Sequence, residues 1–222
     1  MPPKRKNEQK PTSRKQGRIL IVCEGSKTEY NYFSSFKQML AGFRNKSKAN
    51  DVIVLDVQHA DGKTTANQIV KKAKIAKENA TLDYLEIWCV FDKDNDEQNL
   101  PKDYNDIIAT RVKSEGLKVA YSNPSFELWY LLHFCSYNVQ LPYKNCCIAE
   151  LTKYLGRAYS KTDPMLFNEL KQKQPKAIDR AKDLMEMWQT RTDFANHNPS
   201  TTVHELVEML NNYLEKVQNA AK

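Results

Sequence analysis

The first 135 residues alternate short apolar runs with stretches of helical periodicity, and this alternation constrains the fold more than any other feature. The runs are 19–23, 52–57, 85–91 and 117–121, each short and β-prone enough to be a strand. After the first, Tyr32, Phe33, Phe36, Met39 and Leu40 recur at helical spacing. Thr28 is placed to cap that helix, and Gly42 with the polar stretch 45–50 closes it. A turn at Asp61-Gly62 leads into a lysine-rich helix from Thr64 or Thr65 to about Ala80. Residues 103–116 predict a helix with Gly116 as its C-cap. Asn123-Pro124 predicts one more, with Asn as cap and Pro at the first helical position. Strands joined by helices imply a parallel sheet with helices on both faces. The expected fold is therefore α/β and Rossmann-like, built on a mostly parallel four-stranded sheet.

Beyond residue 135 the strand signal stops. Stretches 146–155, 164–172, 176–189 and 203–217 read as helices, the last with a capping box from Thr202 and Glu205. The predicted organisation is a basic tail at 1–18, a core at 19–135, and a helical region at 136–222 packed on that core. A chain of 222 residues suits one core better than two full domains.

Net charge is +7, but it is unevenly placed. Lys4, Arg5, Lys6, Lys10, Arg14, Lys15 and Arg18 face Glu8 alone in the first eighteen positions, so the remaining chain is nearly neutral. With three prolines and no apolar periodicity, the tail is expected to be disordered. It can hold phosphates through counterion release or act as a solubilising arm. No apolar run approaches a membrane span, and the basic start lacks the apolar core of a secretory signal. The expected location is cytoplasmic. Five cysteines without a CxxC pair read as reduced, mostly buried thiols rather than a zinc site.

Acids stand where the strands end. Glu24 follows the first run, Asp92 and Asp94 follow the third, and Glu127 lies just after the fourth. Strand ends in a parallel sheet point one way, so these carboxylates can converge on one crevice. Clustered carboxylates repel one another, and a hard divalent cation relieves that repulsion while activating water for phosphodiester hydrolysis. Plain loop acids and helix-dipole acids remain the competing readings, especially for Glu127 and for Glu29. Asp96 and Glu97 read as solvated loop acids. Lys27 can contact a phosphate or pair with a neighbouring acid, and Lys93 is expected to point away from the aspartates. Asn123 is expected to hold the loop that aims Glu127, with Trp129 and Leu132 facing the core. His133, six residues after Glu127, reads as a core or surface histidine. The absence of Walker A, GxSxG and GxGxxG patterns argues against a P-loop ATPase, a serine hydrolase and a dinucleotide fold.

Four segments resemble the RloB family: Ile19-Leu20-Ile21-Val22-Cys23-Glu24-Gly25-Ser26-Lys27-Thr28-Glu29, Trp88-Cys89-Val90-Phe91-Asp92-Lys93-Asp94, Ala120-Tyr121-Ser122-Asn123-Pro124-Ser125-Phe126-Glu127-Leu128-Trp129, and Asn198-Pro199-Ser200-Thr201. The arrangement of Glu24-Gly25 and Asp92-Lys93-Asp94 also resembles the Toprim domain shared by topoisomerases, bacterial primases and overcoming-lysogenization-defect nucleases. The resemblance implies a Toprim-like fold and a Mg²⁺-dependent nuclease, with Mn²⁺ as a substitute ion. It also implies prokaryotic anti-phage defence beside an ABC- or AAA-type ATPase partner. It gives Glu24 a general acid or base role and makes Asp92 and Asp94 metal ligands; Glu29 resembles a second acid of the overcoming-lysogenization-defect enzymes. The expected site is thus Glu24, Asp92, Asp94 and Glu127 around the metal, with Lys27 and Asn123 towards an RNA or DNA substrate. A non-catalytic nucleic-acid-binding or regulatory subunit of an ATPase complex is the alternative.

Overall fold

A computed structural model describes residues 15–44, 51–60, 65–93, 101–137 and 144–220. The order is β1 (Lys15–Cys23), α1 (Thr28–Arg44), β2 (Asp51–His59), α2 (Ala66–Glu78), β3 (Glu86–Asp92), α3 (Pro101–Asp106), a π-helical turn (Ile107–Arg111), α4 (Val112–Ser114) and β4 (Lys118–Asn123). It continues with α5 (Glu127–Leu132), α6 (Lys144–Leu155), α7 (Leu166–Lys171), α8 (Gln174–Glu186), a 3-10 turn (Phe194–Asn196), β5 (Ser200–Thr201) and α9 (Val203–Asn219). The sheet order is β2-β1-β3-β4-β5, parallel throughout except for β5. This is a Rossmann-like α/β fold.

Successive strand side chains point to opposite faces. Ile19, Ile21 and Cys23 pack with Phe33, Phe36, Trp129, Leu170 and Leu206 on one face; Leu20 and Val22 pack with Ile69 and Tyr104 on the other. Both faces are covered, so residues 19–23 of β1 read as an unbroken apolar run. Cys147, Leu151, Ala177 and Leu210 belong to the same core as α1 and α5. Residues after 135 therefore complete one face of the sheet. All five cysteines are free, three of them buried. Among the described residues, no helix is long and apolar enough to cross a membrane.

The structure corrects four expectations. The sheet has five strands, because Ser200 and Thr201 pair antiparallel with Asn123 and Ser122. The Ser122 and Thr201 hydroxyls bond to each other at 3.0 Å, so this pairing is polar and leaves no apolar signal. Asn123 is not a helix cap. It is still in the sheet opposite Ser200, its Nδ2 donates to the Ala195 carbonyl at 3.0 Å, and a cis Asn123-Pro124 bond follows. The helix starts instead at Glu127. Thr202 forms no capping box, since its hydroxyl accepts the Tyr121 N–H at 3.0 Å. Finally, β1 begins at Lys15, so Arg18 is part of the sheet, ion-paired to Asp56 at 2.6 Å.

Two local expectations, at Thr65 and Gly116, stand, whereas Thr28 lies inside α1 and a π-helical turn interrupts the helix expected at 103–116. Thr65 precedes α2 and its N–H donates to Gln68 Oε1 at 2.8 Å. Gly116 adopts a φ of 65°, the left-handed conformation of a C-cap. The tail at 1–14, the stretch 45–50, the Asp61-Gly62 turn and Thr64 lie outside the described residues.

Candidate functional site

The chain leaves β1 for α1 on one face of the sheet and leaves β3 for α3 on the other. These strands are neighbours, so their carboxyl ends form a switch point, where an open α/β sheet offers a crevice. Glu24 is the first residue past β1, and Asp92 is the last of β3. The Glu24 N–H donates to the Val90 carbonyl at 2.9 Å, extending the strand pairing by one residue. In return, the Asp92 N–H donates to Glu24 Oε2 at 3.0 Å. The two expected site acids are thus held together by backbone geometry. Asp92 is buried.

β4 delivers the third acid. The short path from Asn123 to α5 brings Glu127 into the first helical turn, with no solvent exposure. The Tyr159 hydroxyl donates to Glu127 Oε1 at 3.3 Å. Glu127 Oε2 is buried and, among the described residues, accepts no hydrogen bond. The Lys144 ammonium lies 3.8 Å from it and 3.4 Å from Asp92 Oδ2. Those two carboxylate oxygens are therefore no farther apart than these two contacts laid end to end.

Glu29 joins the cluster from the first turn of α1. Its carboxylate folds back over Gly25, so a Cβ there would stand 2.6 Å from Glu29 Oε2. Burial pushes the Glu29 pKa up; Lys144 opposes that shift and the Glu127 charge adds to it. Burial, then the Glu127 charge, also raises the Tyr159 phenol, which stays a neutral donor. The Tyr130 hydroxyl donates to the Thr28 carbonyl at 3.2 Å, locking α5 against the start of α1.

The other expected residues are placed as follows. Lys27 is exposed in the loop between β1 and α1. Lys93 is buried with its ammonium over the Tyr104 ring, 5.7 Å from the centroid. That ring belongs to α3. The Asn123 amide is turned to Ala195 and anchors the loop before Glu127. Trp129 and Leu132 are fully buried. His133 is also buried, with Nδ1 at 2.8 Å from the Trp129 carbonyl. Asp94, Asp96 and Glu97 lie outside the described residues. Lys144 and Tyr159 belong to the site, although no local pattern marks them: Lys144 is 52 positions from Asp92 and Tyr159 is 32 from Glu127.

Among the described residues, no three His, Cys, Asp or Glu side chains surround a common cation position. Two of the acids, Asp92 and Glu127, are instead paired with the Lys144 ammonium. The donors available at this edge are carboxylate oxygens, the type that Mg²⁺ and Mn²⁺ prefer. The buried Glu127 Oε2, without a hydrogen bond, is the atom that most calls for a cation. Among the described acids, Asp92 and Glu127, which already share the Lys144 ammonium, are the two whose oxygens could pass to such an ion.

The sequence model described as RloB-like protein matches residues 19–210. No curated protein and no solved structure matches the chain at a significant level.

Proposed function

The chain belongs to the RloB-like family, and from that premise we propose a Mg²⁺-dependent nuclease that hydrolyses phosphodiester bonds of RNA or DNA. The proposed setting is prokaryotic anti-phage defence, beside an ABC- or AAA-type ATPase. The observation that carries this reading is Glu127. It is fully buried, one of its oxygens accepts no hydrogen bond from the described residues, and it is joined through Lys144 to an aspartate at the sheet's switch point. Burying a carboxylate in this way costs stability unless a cation compensates it. The placement of Glu24 and Asp92 at the ends of adjacent parallel strands also supports kinship with the Toprim domain.

A divalent ion bound here would supply an activated water and charge stabilisation at the phosphorus. The chain's own residues do the rest. Asp92 and Glu127 would hold the ion, and the family resemblance adds Asp94, which lies outside the described residues. Glu24 is aimed by the Asp92 N–H and can take a proton from the attacking water or return one to the leaving oxygen. Tyr159 and Tyr130 fix the α5 end of the site. Lys27, exposed in the loop after Glu24, would meet a phosphate in this reading.

One observation favours the second reading, a non-catalytic nucleic-acid-binding or regulatory subunit. Lys144 already compensates part of the acidic charge without any metal. Purified protein incubated with labelled RNA and DNA, with Mg²⁺ and with chelator, separates the two. Cleavage in Mg²⁺ that chelator abolishes supports the nuclease. Binding without cleavage of either polymer supports the subunit.

A further inference from the structure

Lys144 opens α6, and the α-helix dipole disfavours a cation in that position. The acids, not the helix, account for its placement. Its ammonium sits 3.4 Å from Asp92 Oδ2 and 3.8 Å from Glu127 Oε2. Its side chain is 28% exposed, whereas those of the two acids are 3% and 0% exposed. The ammonium therefore stands at the solvent side of two buried carboxylates. The helix behind it is fixed by buried Cys147 and Leu151, which pack into the same core as α5. The lysine stem is flexible, so the charge can leave without moving the helix.

We infer that Lys144 is a tethered counter-cation that competes with a divalent metal for Asp92 and Glu127. The inference rests on the metal-dependent reading of this site. Mg²⁺ binds carboxylate oxygens by direct contact at about 2.0–2.1 Å. An ammonium held near the same oxygens would then face a double positive charge at close range, and the repulsion drives it towards solvent. Metal entry and withdrawal of the lysine are one event. The apparent affinity for metal is lowered by the fraction of molecules in which Lys144 holds the acids. Such a site stays charge-compensated at low metal concentration and fills at a higher concentration than the same acids would without the lysine.

The test is Mn²⁺ titration, followed by electron paramagnetic resonance and by thermal melting, of the wild-type chain, Lys144→Met and Lys144→Arg. The Met variant keeps the stem and removes the charge. It is expected to bind Mn²⁺ about tenfold tighter, a change of roughly 1.4 kcal/mol. It should also melt lower than wild type in chelator and gain more from Mn²⁺. Lys144→Arg keeps the charge and is expected to bind no tighter than wild type. Lys144→Gln carries the same expectation as Lys144→Met if the latter does not fold. Wild-type binding with equal or weaker binding by the neutral variants overturns the inference and leaves the nuclease reading standing. Tighter binding by the Arg variant overturns it too, because charge is then not the cause. No Mn²⁺ binding by any of the proteins, at millimolar metal, overturns the metal-dependent reading and this inference with it.

Discussion

The two halves of β1 hold charge in opposite ways. Towards its start, Arg18 Nη2 meets Asp56 Oδ2 at 2.6 Å and the Tyr84 hydroxyl at 3.1 Å, with the guanidinium stacked over the Tyr84 ring. One base faces one acid, each about a quarter exposed. At its end stand Glu24, Glu29, Asp92 and Glu127, three of them buried, with the Lys144 ammonium against Asp92 and Glu127. A balanced pair near solvent is a modest structural contact. An excess of buried acid costs stability, and such excess marks functional sites more often than structural ones. One strand thus carries a structural pair at one end and a candidate chemical site at the other.

The comparison breaks most clearly at Glu127. Glu127→Gln and Asp92→Asn are each expected to lower Mg²⁺-dependent cleavage by about 100-fold or more, the scale of losing one preorganised charge. Their melting temperatures should stay level or rise, because removing one of several like charges relieves repulsion. Variants that cleave normally but melt lower would make this end structural too.

A second test uses the far end of the same helix. Burial lowers the His133 pKa to about 4, against an ordinary value of 6.5. The unfolded chain takes up this proton first. His133 stabilisation is therefore complete above pH 6.5 and is lost as pH falls towards 4. The whole loss is about 3 kcal/mol. Urea unfolding across this range should show a flatter curve for His133→Gln than for wild type. Superimposable curves would show that His133 does not titrate as a core residue.

Glu29 has the opposite sign. Its raised pKa means that its contribution is fully present below the unfolded value of 4.5 and is lost as pH rises through the folded one. Glu29→Gln should therefore be more stable than wild type at neutral pH, with the gain vanishing below about pH 4.5. Equal stability at pH 8 would show that this carboxyl is not penalised by its surroundings. The smallest effect is expected at the other half of β1. Arg18→Met should cost at most about 1 kcal/mol, a drop of up to about 4 °C in melting temperature, and leave cleavage unchanged.

The parts of this layout visible in the sequence are those whose cause is local. The apolar runs are plain because both faces of β1 and β3 are buried, and Glu24 and Asp92 stand out because each ends such a run. Glu127 is found by its motif but for an incorrect geometric reason. The Asn-Pro rule predicted a cap, whereas pairing with Ser200 keeps Asn123 in the sheet and makes Glu127 the first helical residue. Long-range pairing overrode a local preference there. It did so again at Thr202, whose hydroxyl serves Tyr121 across 81 positions. β5 is two polar residues long, below any periodic signal. Lys144 is one lysine among many in the sequence, and only the fold brings it to the acids.

The central claim is that the carboxyl edge between β1 and β3 is a divalent-metal site and the Arg18 half of the strand is not. Anomalous diffraction from crystals soaked in Mn²⁺ tests it directly. The account predicts a peak at about 2.2 Å from carboxylate oxygens of Asp92 and Glu127, with the Lys144 ammonium drawn away from both. A map with no peak at this edge, and Lys144 still between the two acids at millimolar Mn²⁺, would contradict it.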